Sequence, residues 1–396
     1  MKKIFYKLTA IIIAVILLLP IGFEVFGEEN DSKPQENTLG VPEGSLNLNC
    51  KSAILMEATT GTVLYSQNAD EALPPASVTK VMTLLLVMEA IDAGTVRLDD
   101  TISISANAAS MGGSQVFLKE GEEMSVEDLL KSVVIASAND AAVALAEHIS
   151  GSVETFVAKM NAKAAELGMT STKFENVTGL DDTAEHHLTS ARDIALMSRA
   201  LVAHPLVLQY SSIWMDTIRD GAFGLTNTNR LVRFYKGCTG LKTGSTSKAG
   251  FCISATAERD GLSLVCVIMG AESRDIRNAA ATALLDWGFA NFALFKEDAG
   301  ASEAVCVKGS AKREICGIYP AFSCVVRREE LSKIEKKVTL VESITAPTPA
   351  GEKIGEIGFW CGEKKIGCVD ICTETEIERI GFFEILWHIF AKSLLI

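Results

Sequence analysis

The sequence predicts an α/β protein in which helices cover the faces of an antiparallel sheet, beside a helical lobe. A small all-β domain and a C-terminal amphipathic helix follow. Strand-like patterns lie near both ends of the first part of the chain, and a long helical stretch separates them. Terminal strands that join one sheet, with helices packed on it, give this architecture. From Ser302 the pattern changes to short β-runs bounded by turn residues, which is typical of a small β domain.

The strands of the first domain are predicted from alternation and from turn residues. Leu46–Leu64 alternates between apolar and polar residues and is interrupted by Glu57-Ala-Thr-Thr-Gly61, which indicates a hairpin. Three later segments carry the same kind of pattern: Arg230–Phe234, Gly250–Ala257 and Leu262–Gly270. We expect these segments to join one sheet with the first hairpin.

The helix that begins at Ala76 has the most distinctive pattern. Pro74-Pro75 fixes an extended approach and prevents an earlier start. The residues that follow are apolar nearly all round as far as Asp92-Ala-Gly94, so we expect this helix in the core. Ser125-Val-Glu-Asp128 carries the capping-box pattern that opens another helix, which runs through Val134. Further predicted helices are Asp140–His148, Val153–Leu167, Ser190–Val202 and Arg277–Phe295.

These patterns divide the chain into five parts. They are a signal peptide at 1–27, a disordered leader at 28–45, a first globular domain at 46–297, a small β-sandwich domain at 298–375 and an amphipathic helix at 376–396. The β-runs predicted for the small domain are Glu303–Lys308, Ile315–Arg327, Lys337–Val341, Lys353–Phe359 and Lys365–Cys372.

The N-terminus predicts export. A basic start, an apolar centre from Leu8 to Leu19 and small residues up to Gly27 are typical of a secretory signal. An uncleaved membrane anchor is the alternative, although Leu8–Phe23 is short for a bilayer span. The polar stretch Glu28–Gly44 is typical of a disordered leader.

The C-terminus predicts attachment to a membrane surface. Ile377–Ile396 spaces polar residues three and four apart, and apolar and aromatic residues fill the rest. The polar residues are Glu378, Gly381, Glu384, His388 and Lys392. This pattern suits a helix that lies in the membrane interface, and we expect the protein on the outer face of the cytoplasmic membrane. The alternatives are a helix packed on its own domain and a dimer face.

Composition and charge exclude several classes of partner. The net charge is −13 and the isoelectric point is about 5.0, which argues against nucleic acid. The sequence has no phosphate-binding glycine loop, and its five histidines are not grouped with cysteines as in a zinc site. We therefore predict neither a metal nor a cofactor.

Ten cysteines in a protein expected to be exported leave two interpretations open. Cys252 and Cys266 flank one predicted hairpin turn, and Cys361 and Cys368 flank another, so each pair is expected to lie opposite one another, where a bridge can form. The other interpretation is small buried apolar residues in an organism that lives without oxygen. The sequence assigns no bridge.

Three short motifs that carry chemistry stand in order along the chain. They are Ser77-Val-Thr-Lys80, Ser137-Ala-Asn139 and Lys242-Thr-Gly244. Each is weak alone, but together they indicate a serine enzyme that transfers acyl groups and uses lysine as its base. A second match to the first motif, Ser245-Thr-Ser-Lys248, follows a glycine and predicts a turn. Only Ser77 and Lys80 share a helix face, because residues three apart are neighbours only on a helix.

Lys80 can act as a base only if its amine is neutral. The chain has no Gly-x-Ser-x-Gly elbow, so a histidine-based hydrolase is not indicated. Burial on the first turn of an apolar helix lowers the pKa of a lysine, and a second cation, Lys242, acts in the same direction. A neutral Lys80 one turn from Ser77 could then take the hydroxyl proton. The alternative is that Ser77 caps a helix and that Lys80 extends to solvent.

At these motifs the chain resembles the penicillin-interacting serine enzymes, and most closely the low-molecular-mass D-alanyl-D-alanine carboxypeptidases. The resemblance covers about residues 46–375 and the amphipathic tail. It implies a β-lactamase/transpeptidase-like fold for 46–297, peptidoglycan stem peptides as substrates and β-lactam antibiotics as covalent inhibitors. The segments that carry it are Pro75–Thr83, Ala136–Val143, Leu167–Met169, Thr178–Leu180 and Gly240–Ser245.

The resemblance implies a role for each motif residue. Ser77 is the nucleophile, Lys80 is its base, and Ser137 relays a proton to the departing D-alanine amine. Asn139 hydrogen-bonds the substrate peptide. Lys242 supports Ser137 electrostatically.

The resemblance also implies how the substrate is held. Thr243 helps Lys242 to orient the terminal carboxylate, and Gly244 belongs to the same substrate-binding strand. The backbone N–H groups of Ser77 and Ser245 form the oxyanion hole. Arg277 stands where the family often has a carboxylate-binding arginine, although its neighbours Arg274 and Asn278 depart from the commoner pattern.

Two other functions use the same fold: that of a class A β-lactamase and that of a wall-binding protein without activity. A class A β-lactamase has a Glu-x-x-Leu-Asn loop that activates water, whereas the corresponding stretch here is Phe174-Glu-Asn-Val-Thr-Gly-Leu180. A catalytically silent wall-binding protein would keep the fold without activity. The sequence does not distinguish a role in vegetative wall from one in spore cortex, nor does it give the preferred third residue of the stem peptide or the oligomeric state.

Overall fold

The computed structural model describes residues 46, 48–181 and 184–393 of the 396-residue chain. The predicted signal peptide (1–27) and leader (28–45) lie outside the described residues and stay predictions. The first part of the chain forms strands β1 (Ser52–Glu57), β2 (Val63–Gln67), β3 (Thr101–Ser103), β4 (Glu123–Ser125), β5 (Met215–Ile218), β6 (Phe223–Thr226), β7 (Cys238–Thr246), β8 (Gly250–Arg259) and β9 (Leu262–Ala271).

The helices of this part begin with a 3₁₀ turn, Ala76–Thr79. It leads without interruption into the first α-helix. The α-helices are α1 (Lys80–Asp92), α2 (Ala106–Ala109), α3 (Val126–Ala136), α4 (Asn139–Ser150), α5 (Val153–Glu166), α6 (Ala191–Val202), α7 (Pro205–Ser211), α8 (Leu231–Phe234) and α9 (Arg274–Asn291).

The C-terminal part contains mainly strands. They are β10 (Phe292–Glu297), β11 (Gly300–Lys308), β12 (Glu314–Tyr319), β13 (Phe322–Arg327), β14 (Ile334–Leu340), β15 (Ser343–Thr345), β16 (Lys353–Cys361) and β17 (Lys364–Cys372). A 3₁₀ helix at Arg328–Lys333 and a last helix, α10 (Phe382–Ser393), complete it.

The predicted fold class is confirmed. Five antiparallel strands form a sheet in the order β2-β1-β9-β8-β7, with helices on both faces. Side chains alternate along β1: Ile54 and Met56 pack with the helical lobe, and Ala53 and Leu55 pack with α9. Six of the strands from β11 onwards build a sheet in the order β14-β16-β17-β12-β11-β15, and β13 pairs with β10 instead.

Helix α1 lies in the core, as its all-round apolar pattern predicts. Every residue from Lys80 to Met88 is buried. Ser125 and Ser190 cap α3 and α6, each accepting a hydrogen bond from the backbone N–H three residues later. These helices pack against α1, so the Ser77-Val-Thr-Lys80 motif stands at the start of a buried helix.

Two secondary-structure predictions are wrong, one in the type of element and one in where a helix ends. Arg230–Phe234 is not a strand, because the side chain of Asn229 accepts a hydrogen bond from Leu231 N and starts the short helix α8. The strand of this region is β7, which begins at Cys238. The helix predicted to reach Phe295 ends at Asn291, and residues 292–297 pair with β13 of the C-terminal part instead. The predicted domain boundary at 297 stays a prediction.

The expected opposition of cysteines is also wrong. Both hairpins close with two-residue turns, so the residues that pair across each hairpin are not those that the cysteine spacing predicts. Asp260 and Gly261 form the first turn with positive φ, so that Cys266 lies opposite Ala255. In the second hairpin Cys361 lies opposite Lys364, and Cys368 opposite Gly358. All ten cysteines, each within the described residues, are free thiols.

The C-terminal helix begins later than its sequence pattern indicates. Ile377 is 3% exposed, and its backbone exchanges two hydrogen bonds with Thr348, so this residue belongs to the β domain. Helix α10 starts at Phe382. Among the residues that the structure describes, no helix is both long enough and apolar enough to cross a bilayer.

Candidate active site

A cleft of about 650 Å³ brings residues of all three motifs together. Ser77, Ser137, Thr243, Gly244 and Ser245 line it. Lys80, Asn139 and Lys242 are buried, at most 1% exposed, and do not line the cleft. The other lining residues are Ser114, Trp214, Thr226, Asn227, Thr228, Arg230, Phe234, Arg274 and Arg277.

The 3₁₀ turn at Ala76–Thr79 sets the relation between Ser77 and Lys80. Side chains three residues apart are eclipsed in a 3₁₀ helix, whereas they are offset in an α-helix. The Lys80 Nζ atom lies 3.0 Å from Ser77 Oγ as a result. Ala76, which opens the turn, has a positive φ of 48°, a costly conformation that is found where the surroundings enforce it.

The Lys80 amine has three polar neighbours. They are Ser77 Oγ at 3.0 Å, Asn139 Oδ1 at 2.6 Å and the carbonyl oxygen of Thr178 at 2.8 Å. The two latter groups can only accept hydrogen bonds from the amine. A neutral amine has two N–H groups and one lone pair, so both N–H groups are used and the lone pair faces the Ser77 hydroxyl. This arrangement suits a base.

Burial lowers the pKa of Lys80 well below 10.5, because the charged form loses its hydration. The positive charge of Lys242 acts in the same direction, and the carboxylate of Asp140 partly opposes both. Lys80 is fully buried, as the sequence predicts. The prediction that Ser77 and Lys80 face one another is therefore confirmed, and an extended, solvated Lys80 is excluded.

The Thr178 carbonyl belongs to a loop, residues 174–180. This loop packs on the 3₁₀ turn at Ala76–Thr79, hereafter the catalytic turn. The Asn176 side chain accepts hydrogen bonds from the N–H groups of Thr178 and Gly179, and Thr83 Oγ1 donates to Val177 O. A Cβ atom on Gly179 would lie 1.8 Å from the carbonyl oxygen of Ala76, so only glycine fits. The role of Thr178 was not apparent from the sequence, because a backbone carbonyl leaves no residue signature.

His187 links this loop to the catalytic turn. Its Nδ1 accepts a hydrogen bond from Glu175 N, so Nε2 carries the hydrogen and donates to Thr79 Oγ1, 2.7 Å away. Thr79 in turn donates to the carbonyl of Ala76. Burial lowers the pKa of His187 to about 4, which keeps the ring neutral. His187 therefore fixes the loop that orients the Lys80 amine.

Asn139 lies behind the cleft, at the start of α4. Its Oδ1 accepts from Lys80, its Nδ2 donates to Gly112 O at 2.7 Å, and its backbone N–H donates to Ser114 O at 2.7 Å. It thus joins Lys80 to the 112–114 loop that lines the cleft. Its implied hydrogen bond to the substrate stays a prediction.

Ser137 is held in a strained conformation between two helices. It ends α3 with a left-handed φ of 65°, a position that glycine usually occupies. The turn brings Ser137 to the cleft wall while leaving it only 3% exposed. Within the described residues its hydroxyl makes no hydrogen bond to Lys80 or Lys242. Its implied role as a proton relay stays a prediction.

Lys242 is buried in β7 and donates to the carbonyl of Thr243, 2.8 Å away. Burial, followed by the positive charge of Arg277, lowers its pKa to about 7. Lys242 therefore changes charge near neutral pH. Because its positive charge lowers the pKa of Lys80, the two lysines favour an uncharged Lys80.

Gly244 allows β7 to pack directly on the catalytic turn. A Cβ atom at this position would lie 2.7 Å from Ser77 N and 2.9 Å from Pro75 O. Strand β7 is the edge of the sheet, so its outer backbone groups are free to pair with an extended peptide. The close approach brings Ser245 to the wall of the cleft beside Ser77.

Arg277 lies at the end of the cleft and is 3% exposed. Its guanidinium donates to Asn278 Oδ1 through Nε and Nη2, at 3.1 and 2.9 Å, and to Cys252 O through Nη1 at 3.4 Å. Burial, and then the charge of Arg274, lowers its pKa to about 10. The structure thus brings Arg277 to the cleft that Ser77 also lines.

Glu175 does not line the cleft that Ser77 lines. Its carboxylate accepts from His186 N and lies 3.4 Å from Lys173 Nζ. Lys248 of the second Ser-x-x-Lys match lies in a turn, as predicted, and donates to Asp181 O. Among the described residues, no group of three or more His, Cys, Asp or Glu side chains could hold a metal ion.

Two known protein families match this chain, one in each of its two main parts. A profile described as "D-alanyl-D-alanine carboxypeptidase" matches residues 37–273, more than half of the chain. The chain belongs to the D-alanyl-D-alanine carboxypeptidase family. A second profile, described as "Penicillin-binding protein 5, C-terminal domain", matches residues 289–379.

Relatives of this carboxypeptidase family match along most of the chain. The D-alanyl-D-alanine carboxypeptidase DacF of Bacillus subtilis is 37% identical, with 96% of this chain and 97% of DacF covered. The crystal structure of penicillin-binding protein 5 from Haemophilus influenzae is similar with a TM-score of 0.73 and 29% identity, over 86% of this chain and all of the other. Penicillin-binding protein D2 from Listeria monocytogenes, in an ampicillin-bound form, is similar with a TM-score of 0.57 and 33% identity, over 62% of this chain and 99% of the other.

Sequence reasoning found the residues that carry side-chain chemistry and missed those that act through position. The roles that it missed belong to residues from distant parts of the chain. They are Thr79, Ser114, Thr178, Gly179, His187, Trp214, Arg230 and Phe234. The resemblance of Thr178–Leu180 to the family is the signal in the sequence that points to the 174–180 loop.

Proposed function

We propose that this enzyme removes the terminal D-alanine from peptidoglycan stem peptides through an acyl-enzyme on Ser77. The observation that carries the proposal is the 3.0 Å contact between Lys80 Nζ and Ser77 Oγ, with Asn139 Oδ1 and the Thr178 carbonyl oxygen as the other two neighbours of the amine. A neutral amine that donates to these two acceptors directs its lone pair to the Ser77 hydroxyl. A preset orientation of this kind lowers the entropic cost of proton transfer.

The acylation step uses Lys80 and Ser77 together. Lys80 takes the hydroxyl proton as Ser77 Oγ attacks the carbonyl carbon of the penultimate D-alanine. The N–H groups of Ser77 and Ser245 stabilise the oxyanion, supported by the close packing of Gly244 on the turn. The amide bond then breaks as Ser137 gives its hydroxyl proton to the departing amine and takes the proton that Lys80 holds, which returns Lys80 to its neutral form.

Release of the product repeats the chemistry with water. Lys80, neutral again, takes a proton from a water molecule that attacks the acyl carbon. The ester bond to Ser77 Oγ then breaks, and Lys80 returns the proton to this oxygen. Asn139 and the edge of β7 hold the peptide, while Thr243, Lys242 and Arg277 bind the terminal carboxylate. β-Lactam antibiotics are expected to acylate the same serine, as the ampicillin-bound relative suggests.

Membrane attachment is part of the same proposal. Six large apolar side chains near the C-terminus are between 41% and 83% exposed, which argues against a helix packed on its own domain. They are Phe382, Phe383, Ile385, Leu386, Trp387 and Phe390. An amphipathic helix with this many exposed aromatics is suited to the headgroup region of a bilayer. With export through residues 1–27, the enzyme would act on the outer face of the cytoplasmic membrane.

The experiment that tests this function is incubation with a peptide that ends in D-Ala-D-Ala. We expect release of free D-alanine, and a fall of about 10⁴-fold or more with Ser77→Ala. Ser332→Ala, an exposed serine of the C-terminal part, is the matched control and should keep the wild-type rate. Penicillin labelling without D-alanine release would indicate a silent binder, and rapid penicillin turnover would indicate a β-lactamase.

A further inference from the structure

The cleft extends past Ser77 to three arginines. Arg230, Arg274 and Arg277 all line it. Arg277 is buried and hydrogen-bonded, whereas Arg230 and Arg274 are exposed. In the part of the chain that the structure describes, the side chains of Arg230 and Arg274 form neither an ion pair nor a hydrogen bond. Two free guanidinium groups therefore face the same space as the catalytic serine.

These positions do not favour the stability of the fold. Arg274 is the first residue of α9, where the helix dipole is positive and a cation is unfavourable. Burial is the main cause that lowers the pKa of Arg277, and the charges of Arg274 and Arg230 act in the same direction while Asp275 opposes them, so both neighbouring guanidinium groups act on Arg277. This convergence of positive charge occurs in a protein with a net charge of −13. An anion from outside the chain would relieve the repulsion.

The role proposed for Arg277 places the three arginines on the leaving-group side of the scissile bond. Arg277, with Thr243, is proposed above to bind the terminal carboxylate of the leaving D-alanine, and Arg230 and Arg274 lie beside Arg277. D-Alanine has one carboxylate, which leaves two guanidinium groups without a partner. Trp214 and Phe234 also line the cleft, so its wall offers apolar surface to a leaving group longer than alanine.

We propose that Arg230 and Arg274 form a second carboxylate site on the leaving-group side of the cleft. The enzyme then prefers substrates whose leaving component carries two carboxylates, such as an acidic D-residue or the acidic end of a second peptide. Guanidinium groups bind carboxylates with paired, charge-assisted hydrogen bonds, which distinguishes an acid from its amide. The inference rests on the proposed function, because it concerns the same reaction.

The reaction itself is unchanged by this site. The bond from Ser77 Oγ to the D-alanyl carbon forms, the amide bond breaks, and the departing amine takes the relayed proton. The leaving component carries both carboxylates away, and water then releases the acyl group. Arg230 and Arg274 only hold the second carboxylate while the bond breaks.

A matched pair of substrates tests the proposal on the full-length enzyme. One peptide ends in D-Ala-D-Glu and the other in D-Ala-D-Gln, so they differ in charge but hardly in size. We expect kcat/KM to be about tenfold higher for the D-Glu peptide, the value of one good charge-assisted interaction. The ratio should fall as salt is raised, because both arginines are exposed to solvent.

Single variants show whether Arg230 and Arg274 cause the preference for the D-Glu peptide. Arg230→Gln and Arg274→Gln should each lower the D-Glu to D-Gln ratio several-fold, whereas Arg313→Gln, an exposed arginine of the C-terminal part, should leave it unchanged. A wild-type ratio near one overturns the proposal, as does a high ratio that survives both substitutions. If D-Ala-D-Ala peptides are cleaved while the ratio is near one, only this inference fails. If none of the peptides is cleaved, the proposed function fails.

Discussion

At the scale of single residues, the chemistry depends on what surrounds the Lys80 amine. Two acceptors that cannot donate, Asn139 Oδ1 and Thr178 O, hold its N–H groups. The serine hydroxyl is then the one neighbour of the amine that can give up a hydrogen. His187 and Gly179 fix the loop that carries Thr178, so residues far along the chain determine how the base is oriented.

Gly244→Ala tests how closely β7 must approach the catalytic turn. The added Cβ would lie 2.7 Å from Ser77 N, so the strand or the turn has to move. We expect kcat/KM for D-alanine release to fall about 10²-fold, because displacements of this order disturb catalytic geometry. Gly224→Ala is the control, since a Cβ atom there meets nothing within 4 Å. A Gly244→Ala enzyme within twofold of the wild type would contradict the described packing.

At this scale the sequence predicts the chemical groups but not their supports. Ser77 and Lys80 could be paired from their spacing, and the burial of Lys80 from the apolar helix around it. The Thr178 carbonyl could not be predicted in its role, because every residue has a carbonyl and only the fold decides which one reaches the amine. The positive φ of Ser137 likewise follows from the junction of two helices and not from a local pattern.

At the scale of elements, the sequence predicts the long capped helices well. It predicts the short strands and the pairing within hairpins poorly. The capped helices α3 and α6 lie within two residues of their predicted ends. The cysteine pairs were misaligned because the two-residue hairpin turns changed the register. Strands of three or four residues, such as β3 and β15, carry too little pattern to be recognised.

The C-terminal helix gives a prediction that separates membrane binding from folding. Removing residues 381–396 from protein that lacks 1–27 should abolish binding to phospholipid vesicles and leave hydrolysis of a soluble peptide intact. A shortened protein that still sediments with vesicles would disprove the membrane role. Sedimentation and D-alanine release measure the two properties.

A longer deletion provides the control for this boundary. Removing 377–396 also takes away Ile377, which is buried and paired with Thr348. We expect this protein to lose about 2–5 kcal/mol of stability, the range for removal of a buried isoleucine. Equal melting temperatures for the two shortened proteins would show that Ile377 does not belong to the β domain.

At the scale of the whole molecule, the fold keeps two lysines dry inside an acidic protein. The sheet, the helical lobe and the 174–180 loop exclude water from Lys80 and Lys242. Burial of both side chains opposes folding whenever the unfolded chain can bind a proton that the folded chain cannot. The fold class could be predicted because strands near both ends of the first domain and helices between them leave few ways to build a sheet. Which residues of distant strands pair with one another, as between β1 and β9, could not be predicted from the sequence.

The pH dependence of stability should reveal Lys242. Its pKa is about 7 in the folded protein and 10.5 as an ordinary lysine. Between these values the unfolded chain binds an extra proton, so the free energy of unfolding rises with pH, by up to about 1.4 kcal/mol per pH unit for this group. We expect Lys242→Met to reduce that slope between pH 7.5 and about 10 in denaturant titrations. Lys312→Met, an exposed lysine, should keep it, and equal slopes in all three proteins would contradict a buried, neutral Lys242.

The most direct measurement is an NMR titration of the Lys80 side chain in protein labelled with ¹³C-lysine, its signal assigned by its loss in Lys80→Arg. We expect the Lys80 signal to titrate well below 10.5, with kcat/KM for D-alanine release rising over the same pH range. A Lys80 amine that stays protonated up to the ordinary lysine value, in an enzyme active at neutral pH, would contradict its role as the base.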